Sequence, residues 1–268
     1  MISLQRTKGI LLSCEVPTNF LPTFDKYLDY HFCLAHLVLE NEGYRKFYQT
    51  SQKYKILDNS AFELGVPISN TKLLEAAKLI NPQEIVCRDS LGNGAMTIQR
   101  TAETLEFFEK RNYNVKFMGV LQATNLKDFT QCVRWMQNHP RITILGLNGW
   151  PTSINAFKDS VGTEDPTQCR LAALRYLYTK DFADKPVHLL GMGNNPIELK
   201  AANKYKFVRS CDTSSPVVHG IYGVKFDPNL GLLGPKIKEK LNFNLSNLNE
   251  IQVKAILSNI RYIHTWCK

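Results

Sequence analysis

Three aspartates in this chain follow runs of apolar residues: Asp58 after YKIL, Asp89 after EIVCR, and Asp212 after KFVRSC. Gln122 closes VKFMGVLQ, Asn148 follows ITILGL, and Gly191 and Gly193 flank Met192 at the end of PVHLLGM. Carboxylates brought to one place can divide nucleophilic attack from proton transfer. Taken singly, each aspartate has a plainer use, capping the next turn through backbone N–H groups. Three at equivalent points favour a site, because an unpaired buried charge is costly. Around Asp212, the hydroxyls of Thr213, Ser214 and Ser215 could satisfy a buried carboxylate or a phosphate. Other chemistries lack their motifs: the sequence has no G-x-S-x-G, no GxxxxGK[ST] and no HExxH. Its six histidines show no ligand spacing, and His219 is the one nearest a candidate acid.

The elements that must position these residues recur at a steady interval. Eight apolar runs cover 10–16, 32–39, 54–57, 84–88, 115–122, 142–147, 186–192 and 206–211. Short and mostly rich in Val, Ile, Leu and Phe, they have the profile of strands buried on both faces. Helical periodicity fills the gaps. Ile98, Ala102, Leu105 and Phe108 share a face in 97–111, and Leu126, Phe129, Val133 and Met136 stripe the next helix. Asn70 can cap TKLLEAAKLI, and Asp165–Pro166 opens another helix. Eight strands alternating with helices in 268 residues predict a (β/α)8 barrel, with an open doubly wound sheet as the alternative. A barrel gathers catalytic residues at the C-terminal ends of its strands, where the polar residues above fall. The reading divides the chain into a catalytic barrel at 1–222 and a basic C-terminal extension at 223–268. The extension is irregular to 246 and then forms an amphipathic helix at 247–264, with Val253, Leu257, Ile260 and His264 on one stripe.

Charge is uneven along the chain. Residues 185–268 hold 12 bases and 5 acids, and so carry seven of the nine excess positive charges. A basic surface of this kind suits nucleic acid, and it also serves general solubility. Lys204, Lys206 and Arg209 precede Asp212, and Lys236, Lys238 and Lys240 follow it, making them the candidate phosphate contacts. The seven cysteines lie at least 19 residues apart, so no paired spacing seeds a zinc site. No metal and no cofactor is expected. The opening MISLQRTKGILLSCEVP carries too short an apolar stretch for a secretory signal, and no run approaches a membrane span. A soluble cytoplasmic protein in a reducing compartment is expected.

The order of these motifs resembles the tRNA-guanine transglycosylase superfamily, and within it the phage-type enzymes that place 7-deazaguanines in DNA. Asp58 in D-N-S-A-F resembles the family's acid/base aspartate, and Asp212 in S-C-D-T-S-S-P its nucleophile. The resemblance implies that Asp89 and Gln122, in G-V-L-Q, read the base edge. Gly146 and Leu147 would supply backbone contacts, with Asn148 beside them, and LLGMG at 189–193 would place Gly191 and Met192 against the base. Two departures stand out. The zinc cluster that follows the nucleophile in the tRNA enzymes has no counterpart, and Asn148–Gly149–Trp150–Pro151 replaces the family's usual run.

What the resemblance implies is cleavage of a base–sugar bond. Asp212 would hold the sugar covalently while Asp58 protonates the departing base. The base must leave its stack, so the partner is DNA that is single-stranded or has a flipped base, with a free base as a possible second substrate. Re-attack by another base gives exchange, and re-attack by water makes a DNA glycosylase. Three alternatives stay open: base exchange on tRNA, a barrel enzyme acting on a small phosphorylated sugar, and a catalytically inactive nucleic-acid-binding barrel.

Overall fold

The computed structural model describes residues 4–6 and 8–268. Part of the opening stretch, residues 1–3 and 7, therefore lies outside the described residues. Eight parallel strands follow one another around a ring: β1 (Leu11–Cys14), β2 (His31–Leu34), β3 (Lys55–Asp58), β4 (Glu84–Val86), β5 (Lys116–Leu121), β6 (Ile142–Asn148), β7 (Val187–Leu190) and β8 (Val208–Thr213). β1 pairs with β8, and consecutive strands pair from β2 through β8. Among the described residues only the β1–β2 seam lacks a ladder. It is bridged instead by Asp29, whose N–H donates to the Leu12 carbonyl (2.9 Å) and whose Oδ2 accepts from Leu12 N (2.8 Å). The Ser13 hydroxyl adds a bond by accepting from Phe32 N at 3.0 Å. The chain is a nearly closed (β/α)8 barrel, as its alternating pattern predicts.

Helices cover the outside. They include Ala35–Glu40 and Glu42–Thr50 after β2, Ala61–Leu64 and Asn70–Ile80 after β3, Gly94–Glu109 after β4 and Leu126–Asn138 after β5. Ile154–Val161 and Pro166–Thr179 follow β6, Glu198–Ala202 follows β7, and Ser215–Ile221 and Glu250–Cys267 follow β8. The large apolar core lies between strands and helices, while a smaller one, with Tyr30, Phe32, Ile56, Val86, Met118 and Ile144, fills the barrel interior. Among the described residues no helix is long and apolar enough to cross a membrane.

Local expectations needed correcting in three places. The run at 32–39 divides, with Leu34 ending the strand and Ala35 starting a helix; an unbroken apolar run does not reveal which period it follows. Ser69, not Asn70, caps Asn70–Ile80, its Oγ accepting from Lys72 N, while Asn70 Oδ1 accepts from Thr104. On the last helix the fully buried stripe is Ile256, Asn259, Ile260, Ile263 and Cys267; Val253, Leu257 and His264 are only partly buried.

That last helix is fastened closely. A Cβ on Gly220 would lie 2.7 Å from the Ile256 backbone nitrogen, so only glycine permits the contact. Asn259 accepts from Phe226 N (2.8 Å) and donates to the carbonyls of Pro216 (3.2 Å) and Val224 (2.9 Å). Residues 223–268 share the barrel's outer core through Phe226, Leu241, Ile256, Ile260 and Trp266.

Candidate active site

The C-terminal ends of the strands surround a cavity of about 880 Å³. Asp58, Asp89, Gln122, Asn148, Gly191, Met192 and Asp212 all line it, gathered from the ends of six strands. Gly146 and Leu147 do not. Leu147 is turned outward into the helix-facing core, and Gly146 lies packed between Leu190 and Met118, one strand repeat below the cavity. Alternation along β6 leaves only Asn148 at the mouth. Asn148 Oδ1 accepts from Thr152 N at 3.2 Å.

Asp212 is held from below. Its Oδ1 accepts from His188 Nε2 (2.9 Å) and from Gly191 N (3.2 Å), while Oδ2 has no protein donor among the described residues. His188 Nδ1 meets Ser210 Oγ at 2.9 Å, and that hydroxyl accepts from Arg209 Nε at 3.1 Å. A guanidinium can only donate, so Ser210 is free to give its proton to Nδ1, which leaves the Nε2 proton for Asp212. Phe32 stacks flat on the imidazole, centroids 5.3 Å apart at 11°, and fixes its plane. Gly191 takes φ +62°, a left-handed turn that aims its N–H at the carboxylate. The buried Arg170 grips the carbonyls of Leu190 (3.0 Å) and Gly191 (2.9 Å), pairs with Glu198, and so holds this turn rigid.

Asp89 and Gln122 hold each other. Asp89 Oδ2 accepts from Gln122 Nε2 (2.7 Å) and Oδ1 from Asn59 Nδ2 (3.0 Å). Gln122 Oε1 accepts from Gly92 N (2.9 Å) and from the Thr152 hydroxyl, so the amide cannot flip. Burial raises the Asp89 carboxyl above its ordinary range, against the pull of the Gln122 and Asn59 N–H groups.

Two more acids, Glu15 and Glu63, line the same cavity. Burial, then the Glu63 charge, then Asp89 and Asp212 push the Asp58 carboxyl well above its usual range, although Ser60 N donates to its Oδ2 at 2.6 Å. Burial and the neighbouring Asp212 and Asp89 raise Glu63 to about 7, against its own backbone N–H and Lys240. Glu15 rises well above its range through burial, Glu63, Asp212 and Asp58. The mouth thus holds carboxyl groups that resist ionising together.

The six candidate phosphate contacts separate into two groups. Lys236, Lys238 and Lys240 line the cavity. Lys236 Nζ is spent on the carbonyls of Met192 (2.6 Å) and Gly193 (3.0 Å), so it braces the β7 turn. Lys204 and Lys206 are exposed but precede β8, which puts them at the opposite end of the barrel. Arg209 is buried in a bidentate pair with Glu84 (2.9 and 3.1 Å) and cannot reach nucleic acid. Nearness to Asp212 in sequence misleads here, because a strand carries its two ends to opposite faces.

His219 is structural: its Nε2 accepts from Ile237 N (3.2 Å) and its Nδ1 donates to the Ser215 carbonyl (2.8 Å). His188 and Glu15 were legible by the rules that find the other strand-end residues. His188 is a polar residue two places before Leu190 on an otherwise apolar strand, and Glu15 sits directly after β1. A first run taken to continue through Val16 hides Glu15 inside it. Glu63, in the helical turn after Asp58, carries no comparable signal. All seven cysteines are free and buried, and among the described residues no group of three His, Cys, Asp or Glu side chains could hold a metal ion.

The fold and site define a (β/α)8 barrel with an acidic cavity at its C-terminal mouth. No protein-family model matches the chain, and no curated protein matches it.

Proposed function

We propose that this barrel cleaves the base–sugar bond of a nucleotide in DNA, with Asp212 as nucleophile and Asp58 as proton donor. The observation that carries the reading is the unequal environment of two carboxyl groups in one cavity. Asp58 is driven towards its protonated form, while Asp212 is fixed through Oδ1 by two N–H donors and keeps Oδ2 open to the cavity. Two carboxyl groups in such different surroundings can divide acid from nucleophile. The volume suits a nucleotide-sized ligand.

In the proposed reaction Asp212 Oδ2 bonds to the anomeric carbon as the bond to the base nitrogen breaks. The Asp58 proton goes to the leaving base. Asp58, now ionised, takes the proton of the second nucleophile, which displaces Asp212. A second base gives exchange, in line with the resemblance to the 7-deazaguanine enzymes, and water gives excision.

The test is incubation with modified and unmodified DNA and RNA, with and without free 7-deazaguanine, followed by mass spectrometry of released and incorporated bases. Release or exchange on DNA is expected. Asp212→Ala should lower it by about 10⁴-fold or more while leaving the fold and DNA binding in place. Asp58→Asn should slow poor leaving bases most. Wild-type release by Asp212→Ala removes it as nucleophile, and activity confined to RNA replaces the DNA reading with the tRNA one.

A further inference from the structure

Phe62 lies on the short helix Ala61–Leu64 after β3 and Trp150 in the turn after β6, strands three places apart in the ring, yet their ring centroids lie 6.3 Å apart, edge to face at 83°. The pair therefore bridges the cavity mouth on the β4–β5 side. Both rings line the cavity, and each is 58% exposed, a costly position for large aromatics with no partner. A second bridge crosses the other side. The segment after Ser215–Ile221 is tied at Lys236 to the β7 turn, and at Lys240 Nζ to the Glu63 carbonyl, 3.1 Å away, in the β3 loop. Between the bridges the mouth is a slot lined by the Phe62 and Trp150 rings and by Lys238 and Lys240. Sulfate-sized anions would use only the amines, and an apolar peptide only the rings. A strand of unstacked nucleotides uses both, phosphate on lysine and base on ring.

We infer that this slot binds single-stranded nucleic acid, with Trp150 as a stacking platform for a base flanking the one that enters the cavity. The inference rests on the proposed function for what happens inside the cavity, but binding at the slot is separable from it. The T-shaped contact with Phe62 stacks nothing flat on Trp150, and the exposure of the indole leaves it a face for a base.

The test is binding of a short fluorescein-labelled oligodeoxynucleotide, single-stranded or annealed to its complement, to wild type, Trp150→Phe and Trp150→Ala. Base–aromatic stacking sets the scale. Trp150→Ala should weaken the single strand by about tenfold, Trp150→Phe by much less, and the salt dependence should stay unchanged in both. The paired duplex should bind more weakly than the single strand and lose nothing further in Trp150→Ala. Tryptophan fluorescence should quench on binding in wild type, with the Trp150 share absent from Trp150→Phe. Equal single-strand affinity in wild type and Trp150→Ala overturns the inference, as does tighter binding of the duplex. Loss of stacking in a protein that releases no base leaves the slot standing and removes the chemistry. Base release unaffected by Trp150→Ala at saturating DNA, with binding also unaffected, does the reverse.

Discussion

The two ends of the barrel treat buried charge in opposite ways. At the N-terminal end Glu84 and Arg209 form a bidentate pair, and Tyr54 donates to Glu84 Oε2 at 3.1 Å. These two buried charges match each other. At the C-terminal end the carboxyl groups of Glu15, Asp58, Glu63, Asp89 and Asp212 share one cavity; of the nearby amines Lys236 is spent on two carbonyls, while Lys240 gives one bond to a third and keeps its other N–H donors. A barrel gains stability at its lower face and carries chemistry at its upper one, and the charge pattern divides in that way here. The ends are also joined. Arg209 reaches Ser210, Ser210 reaches His188, and His188 reaches Asp212.

The paired end should be the more fragile to a single substitution. Arg209→Met removes one partner and leaves Glu84 charged and buried, a loss of about 3–5 kcal/mol. Denaturant unfolding measures it. Arg209→Met with Glu84→Leu should recover most of the loss, because no unpaired charge remains. A single variant as stable as wild type would mean that the lower end does not depend on matched charge.

Most of this comparison is open to sequence reading at the level of strands, and little of it at the level of partners. Asp58, Asp89, Gln122, Asn148 and Asp212 reach the cavity because each lies at or just past the C-terminal end of a strand, and strand ends are visible as the edges of apolar runs. Leu147 and Gly146 miss it because alternation turns Leu147 to the helix-facing core and leaves Gly146 one strand repeat below the mouth, and an unbroken apolar run shows neither the face nor the depth of its residues. Arg209 reads as a surface cation in sequence because its partner Glu84 lies 125 residues away on another strand. Glu63 reaches the site through a short helical turn with a left-handed Ser60 before it, a backbone event that leaves no periodic trace. Contacts across the ring are made by topology, and only the finished barrel displays them.

The unpaired end should gain from losing a charge. Glu63 has its carboxyl raised from the ordinary 4.5 to about 7, so the folded protein binds more protons than the unfolded chain between those values. Stability from this group is complete below pH 4.5 and falls as pH rises through about 7. Glu63→Gln removes that dependence. At pH 8 it should be more stable than wild type by about 2–3 kcal/mol, with the difference vanishing near pH 4. Melting curves of both proteins across this range measure it. A constant difference at every pH would assign Glu63 a packing role and would leave the acidity of the mouth to Asp58 and Glu15.

The smallest effect concerns the lysines, which sharpen the comparison because the same residue type stands at both ends. Lys238 and Lys240 line the mouth, whereas Lys204 and Lys206 lie before β8 at the closed end, with Lys204 over the Tyr205 ring at 5.0 Å. Lys236 is left out of the test, since its bonds to Met192 and Gly193 shape the β7 turn and its loss would disturb the site itself. Removing one lysine–phosphate pair from a single-strand complex lowers the slope of log affinity against log salt by about 0.7. Lys238→Glu with Lys240→Glu should therefore flatten the slope by about 1.4 and weaken binding across all sequences alike. Lys204→Glu with Lys206→Glu changes net charge by the same amount and should leave the slope where it is. Oligonucleotide titration at several salt concentrations separates the pairs. Equal losses from both would mean that the chain meets nucleic acid through its overall charge, and the mouth would then hold no privileged contact with phosphate.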